Sequence, residues 1–388
     1  MNSLNCIDII DVFDGNIPIH TKEYIELFYK YSNLKHYFVI LVSSKNKVQE
    51  YQVFFSKIGC RQYYIVHDNP GQLPFLLTIL LRLRRTQTSL EEKSLLSFLY
   101  KNRKKKILFH GNVITPMMVY MFNLYSFRSL NWVCWGTILG KRQSVLKTVA
   151  YKKLYGKFRR IVCLMSEDAI EIRKLFKCKC TFVCPYPDKN PLAKKNKTEK
   201  SDKTITKVLV GNSGHSLESY IEFCQRLPKD LDGLHFTFMR VYGPVGFNDF
   251  KNKILNYIDK KYFDVWDELL SLEQYYKKLN EYDVYVSPQT TQTGLGAIYA
   301  MIKLEKTLFL AGYNYSWVSS LGINAQLLEK FIDSVKSKNE LKFPIEILTK
   351  NNDIYSDIFS NKRRFDKWDN LLTADRNTLN NSDLLTFI

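Results

Sequence analysis

The stretch from Lys207 to Leu227, KVLVGNSGHSLESYIEFCQRL, restricts the fold more than any other. Val208, Leu209 and Val210 form a short continuous apolar run, the pattern of a buried strand. Gly211-Asn212-Ser213-Gly214 reads as a turn. Ser216 is placed to cap a helix whose Leu217, Tyr220, Ile221, Cys224 and Leu227 fall on one face. Strand, glycine turn and helix make half of a βαβ unit. Such a turn offers backbone N–H groups and the positive end of a helix to an anion, and glycine lets the ligand come close. It is not a P-loop, since no Lys-Ser or Lys-Thr closes it, and it is not GxGxxG. An ordinary βα turn looks the same, so the rest of the chain has to decide.

Both halves of the chain continue this alternation. In the first, strands are expected at Ile7 to Phe13, Tyr37 to Ser43, Gln62 to Val66, Ile107 to Phe109, Trp132 to Trp135 and Ile161 to Met165. Thr21 is expected to cap a helix running to Tyr31, and Ser166 with Glu167 to open another. Cys178, Cys180, Phe182 and Cys184 alternate like one face of a strand. Their spacing lacks the paired pattern and the fourth ligand of a zinc site. Residues 185–206 carry three prolines in a lysine-rich polar run and read as a linker. Beyond it come strands at Phe236 to Val241, Phe263 to Trp266, Val284 to Val286 and Thr307 to Leu310. Helices are expected from Asn248, from Leu272 to Glu281, from Gly294 to Ile302, from Ala325 to Ser337 and from Asn361 to Leu372. The domains expected are 1–184, a linker at 185–206, 207–360, and a C-terminal helix and tail at 361–388.

Charge separates the two halves. Residues 1–200 hold 34 Lys/Arg against 14 Asp/Glu, while residues 201–388 hold 23 against 24. A basic half beside a neutral half suggests that one domain faces an anionic partner, with nucleic acid and an anionic membrane the two classes to weigh. The basic residues lie on no recognisable nucleic-acid motif and the aromatics are spread along the chain, so no nucleic-acid partner is expected. Leu73 to Arg85, LPFLLTILLRLRR, is too short to span a bilayer but long enough to lie on one. Lys101 to Lys106 is a second basic run, with a solvated turn as the plainer reading. The N-terminus lacks the basic and apolar regions of a secretory signal, and eight cysteines without a CxxC pair fit a reducing compartment.

The fold class expected is therefore α/β: two doubly wound Rossmann-like domains facing each other across a cleft, the GT-B architecture of glycosyltransferases. Ligands in such sheets sit beyond the C-terminal strand ends. Those ends carry Gly211 to Gly214, Tyr242 to Phe247 and Gln289 to Gly296 in one half. In the other they carry Asp14 to His20, His110 to Asn112, and Trp135 with Gly136.

At these loops the chain resembles the TDP-N-acetylfucosamine:lipid II N-acetylfucosaminyltransferases, glycosyltransferase family 56, over roughly Asn16 to Trp317. The family's LVGNSG stands at Leu209 to Gly214, its QxGxG at Gln292 to Gly296, and its PMGY at Pro244 to Phe247. Its Asn-x-x-Trp is matched at Asn314 and Trp317, its IPxH at Ile17, Pro18 and His20, its FHG at Phe109 to Gly111, and its WxxWG at Trp132, Trp135 and Gly136. Phe247 stands where the family has Tyr, and Ile138 where it has Asp. The resemblance implies a peripheral enzyme on the cytoplasmic side of the bacterial inner membrane. It would move 4-acetamido-4,6-dideoxygalactose, or a related deoxyamino sugar, from a TDP carrier to a polyprenyl-diphosphate-linked saccharide of a surface glycan such as enterobacterial common antigen or an O-antigen. The TDP-sugar is a substrate, and no cofactor is expected. Other nucleotide sugars, and an epimerase of the same architecture, are the alternatives.

Sugar transfer needs the leaving diphosphate stabilised and the acceptor hydroxyl deprotonated or positioned. The one Asp-x-Asp, Asp230-Leu231-Asp232, lies between a helix and a strand and reads as surface, so no metal is expected. The diphosphate then falls to Gly211, Asn212, Ser213 and Gly214 with Gln292, Thr293 and Gly294; Tyr242, Gly246, Gly296 and Asn314 complete the expected donor site. Candidates for the base are His20, His110 and Asp14, with Trp135 and Gly136 on the acceptor side.

Overall fold

The computed structural model describes residues 6–15, 18–67, 98–99, 101–111, 129–135, 155, 158–176, 181–186, 205–212, 215–241 and 247–374. They divide into two compact units, one within 1–189 plus 360–387 and the other within 190–359.

The N-terminal unit is built on a seven-stranded parallel sheet: β1 (Ile9–Asp14), β2 (His36–Val42), β3 (Tyr63–His67), β4 (Lys106–His110), β5 (Ser129–Cys134), β6 (Arg160–Cys163) and β7 (Thr181–Val183). Their order is β3-β2-β1-β4-β5-β6-β7. The strands are mostly apolar because a parallel sheet is covered on both faces, with Asp11, Asn131 and Arg160 among the buried exceptions. Strand order reverses between β1 and β4, which opens a crevice at their C-terminal ends. Around the sheet lie α1 (Pro18–Tyr31), α2 (Lys45–Lys57) and α3 (Ser166–Phe176). Helix α1 starts earlier than expected, at a proline suited to a first helical turn. Thr21 is therefore not its cap: its hydroxyl donates to the Asp14 carbonyl at 2.7 Å. Helix α2 went unrecognised in the sequence; Ser44 caps it by accepting from the Lys47 N–H.

The C-terminal unit has a six-stranded parallel sheet: β8 (Thr206–Val210), β9 (Leu234–Met239), β10 (Phe263–Trp266), β11 (Val284–Ser287), β12 (Thr307–Leu310) and the two-residue β13 (Gln326–Leu327). The order is β10-β9-β8-β11-β12-β13, with the reversal between β8 and β11. Its helices are α4 (Leu217–Arg226), α5 (Phe247–Leu255), α6 (Leu272–Leu279), α7 (Leu295–Lys303), α8 (Gly312–Ser320), α9 (Leu328–Lys336) and α10 (Ile345–Phe359). The helix expected from Ala325 begins only at Leu328, because Gln326 and Leu327 add an edge strand beside β12. Val208, Val210, Tyr220, Phe223, Phe236, Phe238, Val284, Val286 and Phe309 form the core between sheet and helices.

Two expected boundaries are corrected. The last helix, α11 (Asn361–Thr373), is neither separate nor part of the C-terminal unit. It inserts Phe365, Trp368, Leu371 and Leu372 into the N-terminal core. The linker also starts later than residue 185. Tyr186 is buried and stacks on Trp368, and the Pro185 carbonyl accepts from the Trp368 indole N–H at 3.0 Å. Of the rest of the expected linker, 187–204 lies outside the described residues, as do Leu73 to Arg85, Cys178 and Cys180, and Thr206 already belongs to β8. Among the described residues no helix is long and apolar enough to cross a membrane.

Candidate functional site

In the C-terminal unit the chain leaves β8 through Gly211, whose φ of +73° belongs to the region glycine adopts without strain. The Gly211 N–H donates to the Val286 carbonyl of β11 at 2.7 Å, which ties the loop to the strand across the switch point. Asn212 follows. A Cβ on Gly294 would lie 3.0 Å from the Asn212 Cβ, so the two loops expected from sequence lie against each other. Gly294, at φ +73°, is the N-cap residue of α7 and offers no side chain to cap it. The first N–H groups of α7 therefore open beside Asn212, with the positive end of the helix dipole behind them.

Asn314 in α8 joins the same cluster. It is fully buried, and its amide donates to the Thr293 carbonyl at 2.9 Å and to the Ser287 hydroxyl at 3.2 Å. Gln289 accepts from the Ser216 N–H at 3.1 Å, holding the loop after β11 to the start of α4. Ser216 caps α4 as its sequence position implied. Gln292 and Thr293 are buried. Gln292 Oε1 and Asn314 Oδ1 are buried without a hydrogen-bond partner among the described residues. Gly296 lies in the first turn of α7 with open space where a side chain would be.

Two neighbours were not singled out from the sequence. Arg240, one residue past β9, is buried; its guanidinium donates to the His215 carbonyl at 3.1 Å and lies 5.5 Å from the centre of the Phe250 ring. His215 is buried with Nε2 3.4 Å from the Ser287 hydroxyl and Nδ1 unpartnered among the described residues. Burial, with the Arg240 charge second, pushes its pKa down to about 3, so the ring is neutral. A charged residue ending the apolar strand Phe236-Thr237-Phe238-Met239 was the signal for Arg240; nothing local marks His215. Ser213, Gly214, Tyr242 and Gly246 lie outside the described residues. Asp230 pairs with Lys338 at 2.8 Å on the surface, and no group of three or more His, Cys, Asp or Glu suited to a metal occurs among the described residues.

In the N-terminal unit, Asp14 ends β1 half-buried, and His20 lies in the first turn of α1. His110 ends β4 and is buried with both ring nitrogens engaged, Nε2 by Asp11 at 3.0 Å and Nδ1 by the Tyr186 hydroxyl at 2.6 Å. Neither nitrogen faces an open site, so His110, a candidate base by sequence, here orders the end of β4 through its hydrogen bonds. Trp135 donates its indole N–H to the same Tyr186 oxygen at 3.2 Å, and its ring occupies the space a Cβ on Gly111 would take. Gly136 lies outside the described residues.

No family model matches the sequence, and no curated protein matches it. Solved structures do match along nearly the whole chain. A glycosyltransferase from Rickettsia africae superposes with a TM-score of 0.62 at 13% identity, over 96% of this chain and 100% of that one. The fold is GT-B. Anabaena HepE, solved in complex with UDP and glucose, has a TM-score of 0.61 at 12% identity, covering 95% of this chain and 99% of its own. A UDP-GlcNAc 2-epimerase from Neisseria meningitidis, bound to UDP-GlcNAc, has a TM-score of 0.53 at 11% identity, covering 94% and 99%. At these identities the likeness is one of fold.

Proposed function

We propose that this GT-B protein is a glycosyltransferase that binds a nucleoside-diphosphate sugar at the ends of β8 and β11 and transfers the sugar to an acceptor hydroxyl. The observation that carries this reading is one convergence of groups. An uncapped helix start, the buried Arg240 guanidinium, and polar atoms of His215, Gln292 and Asn314 that have no partner among the described residues meet at the switch point. A diphosphate matches the helix start and the guanidinium. The neutral imidazole and the two amide oxygens suit the uncharged parts of a nucleotide sugar. As the donor bond breaks, charge grows on the diphosphate, where these fixed dipoles already point.

In its finer form the reading rests on the loop motifs shared with glycosyltransferase family 56. The donor is then TDP-4-acetamido-4,6-dideoxygalactose or a related deoxyamino sugar, and the acceptor a polyprenyl-diphosphate-linked saccharide. Transfer proceeds without a metal, on the cytoplasmic side of the bacterial inner membrane. The excess of Lys and Arg in residues 1–200 suits an anionic leaflet and an acceptor that itself carries a diphosphate. His20 deprotonates or positions the acceptor hydroxyl, with Asp14, at the end of β1, as the second candidate, and Trp135 and Gly136 belong to the acceptor side.

A second reading, epimerisation of a nucleotide sugar, is supported by the fold likeness to the Neisseria epimerase. Incubation with TDP-sugar and a polyprenyl-diphosphate saccharide separates the two. Transfer releases TDP and lengthens the lipid-linked glycan only when acceptor is present. An isomerised nucleotide sugar formed without acceptor would overturn the transferase reading.

A further inference from the structure

An acid stands in the middle of the apolar strand β1. Asp11 is completely buried, with Oδ2 2.6 Å from His36 Nδ1 and Oδ1 3.0 Å from His110 Nε2. Burial works to raise its pKa, but the His36 charge and hydrogen bonds from both imidazoles outweigh it and hold the carboxyl below its ordinary value. An ionised carboxylate only accepts, so both of those imidazole nitrogens donate.

The protons can be followed outward in both directions. Toward the end of β4, the Trp135 indole only donates, so the Tyr186 oxygen accepts from it and gives its own proton to His110 Nδ1. His110 is thereby the neutral tautomer with its hydrogen on Nε2. Toward α11, the Ser32 hydroxyl donates to Asp369 Oδ1 at 2.6 Å and accepts from the Leu34 N–H at 3.1 Å. Its single proton is used, so His36 Nε2, 2.9 Å away, also donates. The His36 ring then carries a proton on each nitrogen, between the carboxylate of Asp11 and the hydroxyl that Asp369 orients. The second Asp369 oxygen accepts from the Asn33 N–H at 2.8 Å.

We propose that Asp369, on the C-terminal helix, is a positioning residue for the Trp135–Gly111 surface at the end of β4. By holding the Ser32 proton it keeps His36 doubly protonated. Asp11 then stays ionised, His110 keeps one tautomer, and the Tyr186 hydroxyl points one way, with the Trp135 indole hydrogen-bonded to its oxygen. Every member lies in the N-terminal unit, and the link joins residues 337 positions apart in sequence. The proton order does not depend on the transferase reading; the consequence for acceptor use rests on it.

Nitrogen-15 NMR of the histidine rings in the full chain at neutral pH tests the proposal. In the wild type His36 should show two ring N–H groups and His110 one, on Nε2. Asp369→Asn keeps the size of the side chain and removes its charge. It should leave His36 with a single ring proton and move the His110 ring and Trp135 indole signals. Ser32→Ala, which removes the acceptor for His36 Nε2, should do the same and serves as the test should Asp369→Asn fail to fold. A singly protonated His36 in the wild type, or unmoved His110 and Trp135 signals in the variants, would overturn the proposal. In transfer assays the acceptor KM should rise in Asp369→Asn while nucleotide affinity holds. An unchanged acceptor KM beside the expected NMR shifts would remove Trp135 from acceptor binding and leave the proton order standing.

Discussion

At the switch point of the N-terminal sheet, Asp11, His36, His110, Tyr186 and Trp135 answer one another's hydrogen bonds. At the corresponding point of the C-terminal sheet, His215, Gln292 and Asn314 each keep a buried polar atom without a partner among the described residues, and α7 begins without a side-chain cap. The strand order is the same pattern in both, yet the polar groups are used differently. A closed network fixes a shape, whereas open valences beside a helix start prepare a place for a ligand. Truncations in the first should therefore cost stability, and truncations in the second should cost binding.

The largest expected effect breaks the closed network. Asp11→Ala leaves two buried imidazoles without their carboxylate and should destabilise the protein by about 3–5 kcal/mol, as for other broken buried ion pairs. Urea unfolding at neutral pH measures it, and a loss below about 1 kcal/mol would show that the network carries little. Next comes the chemistry assigned to the N-terminal unit. His20→Ala should lower turnover by roughly 100- to 10,000-fold, the range of a general base, with TDP affinity nearly unchanged. A fully active variant would remove His20 from the mechanism.

Titration sharpens the contrast further. The folded His215 has a pKa of about 3, below its unfolded value, so the unfolded chain takes up a proton first as pH falls. Its contribution to stability is complete above about pH 6.5 and should decline on acidification, by on the order of 3 kcal/mol near pH 4. Asp168, buried in the first turn of α3, has the opposite sign. Burial, and then the Glu167 charge, raise its pKa to about 8, so stability falls as pH rises from the unfolded value toward 8. Thermal midpoints across pH should show His215→Gln flattening the acid side and Asp168→Asn flattening the neutral side. The smallest effect belongs to the open site. Gln292→Ala should weaken nucleotide binding by about 1 kcal/mol and leave the melting temperature nearly unchanged, because its Oε1 has no hydrogen-bond partner among the described residues.

The loops of the C-terminal cluster could be read in the sequence because each is local, whereas Arg240 and His215 were not singled out. Gly211 and Asn212 follow an apolar strand, Gln292 to Gly294 precede a helix, and Asn314 stands in a short Asn-x-x-Trp stretch. The closed network could not be read there, because it depends on strand order. Asp11 meets His36 and His110 only because β1 lies between β2 and β4, and Ser32 meets Asp369 only because α11 returns to the N-terminal core. His110 stood among the candidate bases for the same reason: its partner Tyr186 follows β7, at the far edge of the sheet. Composition opposed one helix that the sequence did not mark, and α2 and α10 were not marked although between them they carry Lys, Gln, Glu and Leu. α8, GYNYSWVSS, is poor in helix formers and takes its shape from Gly312, whose φ is +52° and whose missing side chain leaves room for the Thr290 backbone.

The most direct test of the central claim is calorimetric titration of TDP into the wild-type protein and Arg240→Gln, both in EDTA. The wild type should bind without divalent metal. Loss of the buried guanidinium should weaken binding by about tenfold or more, as expected for a charge-assisted hydrogen bond of about 1.5–3 kcal/mol. Wild-type binding that requires magnesium or manganese, or equal affinity in the two proteins, would contradict a metal-free diphosphate site at the ends of β8 and β11.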